Sequence, residues 1–524
     1  MRGDECSAVA AGFGRWQARL AALLSLPVLL TGLYGTNYVF LAAHTPYRCQ
    51  VPECEGNVSE YGGGARWARW SLPAEDQCHR WRPLDGRCDE HSFDNTTLRA
   101  CDKFVYQYNA SIVHEFGLAC EEWKRSLVGT VHNVGMLISL PIMGYVSDTY
   151  GRRTALVVSG CGVGLLGLAK SFVNSYPTYL LAELLETVLG ASVYPAAFVL
   201  MIEWLGVKHR VLASLLLGIP LSAGAATLAL LDYLTGYWRL WARIAYPPSF
   251  LLIIYLWWLP ESVRWLVTRG RLRDALETVK RAAECNRVPI SDDAIEKMMM
   301  NEGDHEEKAQ MPVEDEGLLR AFARYGVLRR RLCVCFVWWM SAVFVFYGLA
   351  VRAHALSGSP HLNYALVAAA ELPALVANTL LLDRVGRRPL LTAAFLLTAT
   401  ALISIPCLPE TSAVASTALY LVGKVGATMS LNALYVYTAE LFPTRARQRL
   451  LAACSTCGRV GAILAPLTPL LATRRPWLPT ALFGSLPLLS AALTRLVPDT
   501  LHRRLPDSFS DLEPSPCPSE LSHT

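Results

Sequence analysis

The sequence predicts an all-α membrane protein with twelve transmembrane helices in two six-helix halves. Composition is the first of three observations behind this. The 524 residues are 53% hydrophobic and only 17% charged, against about 25% charged in soluble domains, and the mean hydropathy is +0.29. Bunching of the charges leaves apolar runs of about 20 residues, enough for a helix to cross a hydrocarbon layer of about 30 Å. Second, three charged signatures recur about 235 residues apart. Asp148-x-x-Gly151-Arg152-Arg153 returns as Asp383-x-x-Gly386-Arg387-Arg388, Glu203 with Arg210 as Glu440 with Arg447, and Pro260-Glu261-Ser262 as Pro498-Asp499-Thr500. Chance gives one such pair easily, but not three in order. Third, the basic residues alternate between the ends of the runs. Duplicated membrane units usually move solutes by rocking one half against the other.

The first half gives spans at 19–43, 126–147, 154–173, 177–203, 211–235 and 240–260. Spans at 332–352, 362–383, 389–408, 412–438, 450–472 and 477–498 make the second half. Span one is too long for a cleavable signal, and no small-residue cleavage site follows it. Every even-numbered exit is basic: Arg152 and Arg153, Lys208 and Arg210, Arg264 with Arg269 and Arg271, Arg387 and Arg388, then Arg445, Arg447 and Arg449. Most odd-numbered exits are not, Arg474 and Arg475 excepted. Positive charge favours the cytoplasmic side, so both termini, 1–18 and 499–524, are expected there. The tripeptide Arg2-Gly3-Asp4 would then lie inside the cell, where its likeness to an adhesion motif means nothing. The net charge of +5 follows from this topology and is too small to suggest nucleic acid.

Segment 44–125 becomes a large extracellular loop. Its six cysteines, Cys49, Cys54, Cys78, Cys88, Cys101 and Cys120, suit an oxidising compartment. Three disulfides among them allow fifteen connectivities, with free thiols the alternative. Three glycosylation sequons, at Asn57, Asn95 and Asn109, point to the same side. The cytoplasmic central loop, 261–331, holds a helical stripe of Leu272, Ala275, Leu276, Val279 and Ala283, followed by an acidic tether from Glu296 to Glu316. After Asp499 the tail is rich in Pro and Ser, a composition of disordered chain.

Several stretches together resemble the organic cation/organic anion/carnitine transporters of the major facilitator superfamily, the solute carrier family 22 type, along nearly the whole chain. They are Phe13-Gly14-Arg15-Trp16-Gln17, the Val39–Ala43 run leading to Arg48-Cys49, Cys101-Asp102-Lys103-Phe104-Val105-Tyr106, and Gly144-x-x-Ser147-Asp148-x-x-Gly151-Arg152-Arg153. Pro260-Glu261-Ser262-x-Arg264-Trp265-Leu266, Glu371-Leu372-Pro373-Ala374 and Tyr437-Thr438-Ala439-Glu440-Leu441-Phe442-Pro443-Thr444 complete the set and narrow the superfamily to the family. The resemblance implies the major facilitator fold at the plasma membrane and a small organic ion as substrate, with the bilayer as the other partner.

Acidic residues at cytoplasmic helix ends can pair with arginines of neighbouring loops in one conformation and release them in the other. The gating candidates are Asp148, Arg152, Arg153, Glu203 and Arg210, with Asp383, Arg387, Arg388, Glu440 and Arg447. Asp148 and Arg152 are expected to face Glu440 and Arg447 across the halves; alternatively these residues only orient their loops. One departure stands out: Thr149 follows Asp148 where the family often has Arg, whereas the second copy keeps Arg384.

A substrate site is expected near mid-membrane between the halves, and ionisable residues within spans are candidates by their cost alone. Glu183 and Glu186 of span four, Glu371 of span eight, Lys424 of span ten and Arg459 of span eleven qualify. Glu183 stands where relatives often have Arg; it and Glu186 share a helical face and either share a proton, lie near a membrane end or pack. Arg459 is the sharpest. The resemblance implies a charge selector at its position, Arg in anion and carnitine carriers and Asp in cation carriers, so an anion or zwitterion such as carnitine is favoured over a cation. Its alternative is an internal pair with Glu371 or Glu440, and Lys424 is read more as an internal partner than as a ligand contact. Of the aromatics Trp338, Trp339, Phe344, Phe346, Tyr347, Tyr435 and Tyr437, Tyr347 and Tyr437 lie beside family-matching stretches and are the candidates for stacking on a bulky organic ion.

Cys454-x-x-Cys457 lies inside a span, where small residues ease helix packing. No phosphate loop, nucleotide fingerprint or metal-binding His pair is present, so neither an ATP-driven pump nor a cofactor or metal is expected, and no catalytic constellation suggests an enzyme. The expected function is secondary transport of small organic ions by alternating access. A proton-coupled carrier would depend on Glu186 or Glu371. The alternative is a transport-inactive receptor or scaffold on the same fold, for which Thr149, Glu183 and the glycine-poor run Gln448-Arg449-Leu450-Leu451-Ala452 are the hints.

Overall fold

The computed structural model describes residues 13–55, 61–62, 67–74, 76–205, 210–288, 318–409, 412–443, 446–475 and 477–501. The first six spans are helical at Arg15–Tyr34, Glu122–Tyr150, Arg152–Lys170, Tyr176–Gly190 with Val193–Glu203, Arg210–Thr235, and Trp238–Ala245 with Tyr255–Trp258. Helices at Gly326–Val351, Pro360–Ala369 with Glu371–Val385, Arg387–Ser404, Ala413–Leu441, Arg447–Leu464 with Thr468–Arg474, and Leu478–Leu493 form the other six. Among the described residues eleven are long and apolar enough to cross a bilayer; the twelfth, Leu478–Leu493, is prolonged by a turn at Thr494–Leu496. Leu165, Phe172, Leu181, Leu230 and Leu380 lie exposed on the bundle, which suits lipid as the surrounding solvent.

The departures from regular helix have local causes. In span six Pro247 and Pro248 bring no N–H, and a 3₁₀ segment, Pro247–Ile254, takes over. Span one stops at Tyr34, turns through Gly35, Thr36 and Asn37, and resumes at Tyr38–Leu41. Spans one and five press together at Gly32 and Gly224, where a Cβ on either would strike the opposite backbone, at the carbonyls of Leu221 and Leu29.

Between spans one and two the loop folds as two small antiparallel ribbons. Strand β1 (Tyr47–Cys49) pairs with β4 (Phe104–Tyr106), and β2 (His79–Pro83) pairs with β3 (Phe93–Ala100). Disulfides Cys49–Cys101, Cys54–Cys88 and Cys78–Cys120 select one of the fifteen connectivities. Asn95 and Asn109 are exposed; Asn57 lies outside the described residues. Glu115 ties the loop to span six through Arg239 Nε at 2.7 Å and Trp238 Nε1 at 2.6 Å. Burial alone would raise the Glu115 carboxyl, but these donors hold it below its ordinary value.

The stripe in the central segment forms a helix, Leu272–Asn286, that buries Ala275, Val279, Ala282 and Ala283. Leu272 is 43% exposed, contrary to expectation; it begins the helix, ahead of the packed turns. At the far end the Asn286 side chain accepts from Trp16 N at 2.9 Å and donates to Gln17 Oε1 at 3.1 Å. A Cβ on Gly14 would collide with that asparagine, which explains the Gly14-Arg15-Trp16-Gln17 stretch. The Glu296–Glu316 tether and the tail beyond Leu501 lie outside the described residues.

The repeated Gly-Arg-Arg has a structural reason. Gly151 and Gly386 adopt φ of 101° and 106°, where side chains are strained. Each sits between two spans, and each feeds a helix whose first N–H groups are capped from elsewhere. Glu261 accepts from Arg152 N at 3.0 Å and Arg153 N at 3.2 Å, while Asp499 accepts from Arg387 N at 3.2 Å and Arg388 N at 3.3 Å. Burial pushes the Glu261 carboxyl above its ordinary value, with the backbone donors opposing. A Cβ on either glycine would meet the capping carboxylate. Gly151→Ala or Gly386→Ala should therefore cost about 1–3 kcal/mol, read as a lower melting temperature of the purified protein. Gly144→Ala, whose Cβ would meet open space, should not lower it.

Candidate functional site

The halves meet firmly at the end that carries the large loop. There Thr36 Oγ1 and Tyr364 Oη are hydrogen-bonded across the halves, and His361 Nε2 lies 2.9 Å from Asp232 Oδ2. Phe40 packs among His354, His361 and Tyr364, with ring centroids at 4.6, 5.4 and 5.0 Å. Slightly deeper, Thr130 Oγ1 donates to Ile463 O at 3.3 Å, and Gly129 leaves room for Pro466. Deeper again, polar side chains from both halves converge.

Arg459 is among them, on the fourth turn of Arg447–Leu464. Its guanidinium lies 3.5 Å from Tyr347 Oη and 3.8 Å from Met136 Sδ of the first half. Among the described residues no carboxylate lies within ion-pairing distance of it. Glu371 is held by Lys424 at 2.8 Å, and Glu440 by Arg387 at 3.0 Å, so neither of the expected internal pairs forms. Tyr435, which packs edge-on against Trp339 at 4.6 Å, lies within electrostatic reach of Arg459 and Tyr347 and keeps 48% of its surface accessible. Tyr194 stands near Tyr435 and Glu371 from the first half. These aromatic and ionic groups gather at the seam between the halves, below called the cleft, and Tyr435 is the member that the sequence reading set aside.

Two of the substrate-site candidates have partners inside the second half, Lys424 as the sequence favoured and Tyr437 contrary to it. Lys424 is 1% exposed, its ammonium lies between Glu371 and the face of Phe346 at 3.3 Å, and it is spent on that internal pair. Tyr437 is fully buried, stacks on Trp338 at 5.7 Å and donates to Pro498 O at 2.7 Å. It braces the second half rather than facing the cleft. Tyr347 does face it, and Glu371 reaches across the halves to accept from Ser222 Oγ at 3.2 Å.

The gating residues also pair differently from expectation. Arg152 binds Asp148 at 3.0 Å and Glu203 at 3.5 Å; Arg387 binds Asp383 at 3.0 Å and Glu440 at 3.0 Å. Each latch closes within its own half, not across the halves, because the repeat builds the same turn twice and each arginine reaches the nearest acid of its own bundle. Thr500 Oγ1 adds a donor to Glu440 at 2.6 Å. Arg153 and Arg388 contribute backbone N–H groups to the caps described above. Arg447 opens its helix, while the Arg210 side chain lies outside the described residues.

Glu183 and Glu186 are buried inside the first half. Both grip Lys170, whose ammonium lies 2.6 Å from Glu183 Oε2 and 2.5 Å from Glu186 Oε2. His132 Nδ1 lies 2.7 Å from Glu183 Oε1, and Tyr246 Oη donates to Glu186 Oε1 at 2.6 Å. Lys170, Glu183 and Tyr246 have no exposure, Glu186 1% and His132 2%. Sequence reasoning missed His132, Lys170 and Tyr246. The rule that singled out Glu183, an ionisable residue within an apolar run, applied equally to His132 and Lys170.

A two-fold repeat of six helices around a polar cleft is the architecture of a secondary carrier. The Major Facilitator Superfamily model matches residues 108–466 and 332–517. The solved structure of the Escherichia coli xylose transporter XylE in an inward-open conformation aligns at a TM-score of 0.63 and 14% identity, over 93% of this chain and 98% of that one. XylE as a proton:xylose symporter with a bound bromo-deoxyglucose aligns at 0.60 and 16%, over 95% and 99%. The chain is 30% identical to an organic cation transporter-like protein of Drosophila melanogaster, over 97% of this chain and 92% of that protein. It is likewise 30% identical to solute carrier family 22 member 7 of Bos taurus, over 97% and 96%, and 29% identical to member 6 of Rattus norvegicus, over 96% and 92%. The chain belongs to the major facilitator superfamily and, within it, to solute carrier family 22: a multi-pass membrane transporter rather than an enzyme.

Removing one partner from the buried Lys424–Glu371 pair leaves a lone charge, at a cost of about 3–5 kcal/mol. Lys424→Met should lower the melting temperature of the purified protein sharply, and adding Glu371→Gln should recover part of the loss. A loss that is unchanged in the double variant would contradict the pairing.

Proposed function

We propose that this carrier moves small organic anions, or zwitterions such as carnitine, across the plasma membrane by alternating access, with both termini and the arginine latches cytoplasmic. The observation that carries the reading is Arg459, a mid-span guanidinium whose neighbours in the cleft are Tyr347 and Met136. Nearby Lys424 and Glu371 cancel one another, so the cleft keeps a net positive charge. Two opposite charges 4 Å apart attract by about 4 kcal/mol at an effective dielectric of 20; a cation would be opposed by a similar amount. Tyr347 and Tyr435 offer rings for an organic body.

In this reading the loop end, sealed by Thr36, Phe40, His361 and Tyr364, is the exterior gate in its closed position. Latches built from Asp148, Arg152 and Glu203, and from Asp383, Arg387 and Glu440, keep each half rigid so that it rocks as a body. By their repeat in the sequence, Arg210 and Arg447 are assigned the same role.

Uptake of labelled p-aminohippurate, carnitine and tetraethylammonium tests the reading in cells expressing wild type or Arg459→Ala. Saturable anion or carnitine uptake should fall at least about tenfold in the variant at matched surface abundance, as loss of 1.4 kcal/mol requires. Cation uptake by the wild type would overturn the charge assignment. No uptake of any of them, with protein at the surface, would favour the receptor on the same fold.

A further inference from the structure

We propose that the cluster of His132, Lys170, Glu183 and Glu186 is a proton-binding site, with the extra proton held between His132 and Glu183, and that its occupancy is tied to closure of the loop end. The site stands on geometry alone; its consequence for transport rests on the carrier reading above.

Hydrogen-bond roles locate the proton. Tyr246 Oη receives Asn37 Nδ2 at 2.8 Å and Lys170 Nζ at 3.2 Å, so its own proton goes to Glu186 Oε1. Glu186 Oε2 takes the ammonium of Lys170. Oε1 accepts, and Oε2 lies against a cation without a hydrogen-bond partner of its own, so beside that ammonium the carboxylate is ionised. His132 is different. Its Nε2 lies 3.1 Å from the carbonyl oxygen of Gly35, which can only accept, and its Nδ1 lies 2.7 Å from Glu183 Oε1. Nε2 must carry a hydrogen, and a second hydrogen must lie between Nδ1 and the carboxylate. The pair thus holds one proton more than an ionised glutamate with a neutral imidazole would. Charge counting agrees. Two carboxylates and one ammonium leave a net negative charge inside the first half, and the extra proton brings the cluster to neutrality, as an apolar interior demands.

The turn that interrupts span one links this proton to the gate. Gly35 supplies the carbonyl to His132, the neighbouring Thr36 bonds Tyr364 of the second half, and Asn37 bonds Tyr246. Tyr38 then packs on the His132 ring, centroids 4.9 Å apart. When the halves part at the loop end, the turn loses Tyr364, and the Gly35 carbonyl is free to leave Nε2. A cavity of about 50 Å³ lined by His132, Gly35, Thr31 and Glu186 lies alongside, room enough for a water molecule. There the Nε2–H bond breaks, its electron pair stays on nitrogen, and water carries the proton away.

The groups around His132 come from both halves. The first half supplies Tyr34 and Tyr38 from span one, Asn133 beside it, Lys170 from span three, Tyr179, Glu183 and Glu186 from span four, and Tyr246 from span six. From the second half Tyr347 and Tyr364 act on Tyr38, whose ring packs on His132, and Arg459 touches Met136, one turn along span two from His132. In this proposal an anion bound at Arg459 offsets the guanidinium charge one helical turn along span two from His132, so anion and proton bind together.

Two measurements on full-length protein in proteoliposomes test this. Solid-state ¹⁵N NMR of histidine-labelled protein should give both ring nitrogens of one histidine as protonated at neutral pH, a signal that His132→Asn removes. A neutral imidazole at His132 with Glu183 ionised would overturn the proton site, with or without transport. Acidifying the outside should then speed initial p-aminohippurate uptake several-fold in the wild type, and the ratio should fall to about one in His132→Asn and in Glu183→Gln. Wild-type uptake indifferent to the gradient would overturn the coupling. A protonated His132 in a protein that transports none of the tested ions would uphold the site and sink the carrier reading instead.

Discussion

A charge inside a bilayer must be cancelled by protein or by ligand, and the interior of this carrier is arranged around that constraint. Lys170 is held by two glutamates, and Lys424 by Glu371. The one strong charge left without an acid partner among the described residues of the cleft is Arg459, at the place where two mobile halves meet. The compensated groups stabilise the halves, and the proposal above assigns the uncompensated one to the charge of the substrate.

The duplication explains the rest of the scaffold. Each half carries a glycine at positive φ, a carboxylate that caps the following helix, and an arginine that latches the helix end. The matching distances in the two copies indicate one device made twice, which stiffens each bundle where it would otherwise fray. At the loop end Phe40, His354, His361 and Tyr364 close the seam within a buried hydrophobic cluster that draws residues from both halves. The disulfide-stapled loop is anchored to the first half through Glu115 and Arg239.

Much of the fold was legible because its signals are local. Apolar runs, basic exits and the repeated Asp-x-x-Gly-Arg-Arg are short-range patterns, and the spans fall where they were expected to within a few residues. Arg459 was legible for the same reason, as a charge inside an apolar run. What could not be read depends on which side chains meet across the bundle. The latch partners, the disulfide pairing and the fates of Lys424 and Tyr437 are set by three-dimensional proximity that no spacing encodes. The His132–Lys170 cluster was half visible: its carboxylates were singled out, but their neutralising partners lie on other helices, at positions 51 and 13 residues away.

The most direct test of the account is charge reversal at the cleft. Arg459→Asp should abolish uptake of an aromatic carboxylate and open uptake of an amine of the same shape, compared at equal surface abundance in one cell line. Inversion of selectivity would place the substrate's charge beside this side chain. Carboxylate uptake that persists unchanged in Arg459→Asp would contradict the account, since a fixed negative charge in that cleft cannot be reconciled with binding an anion there.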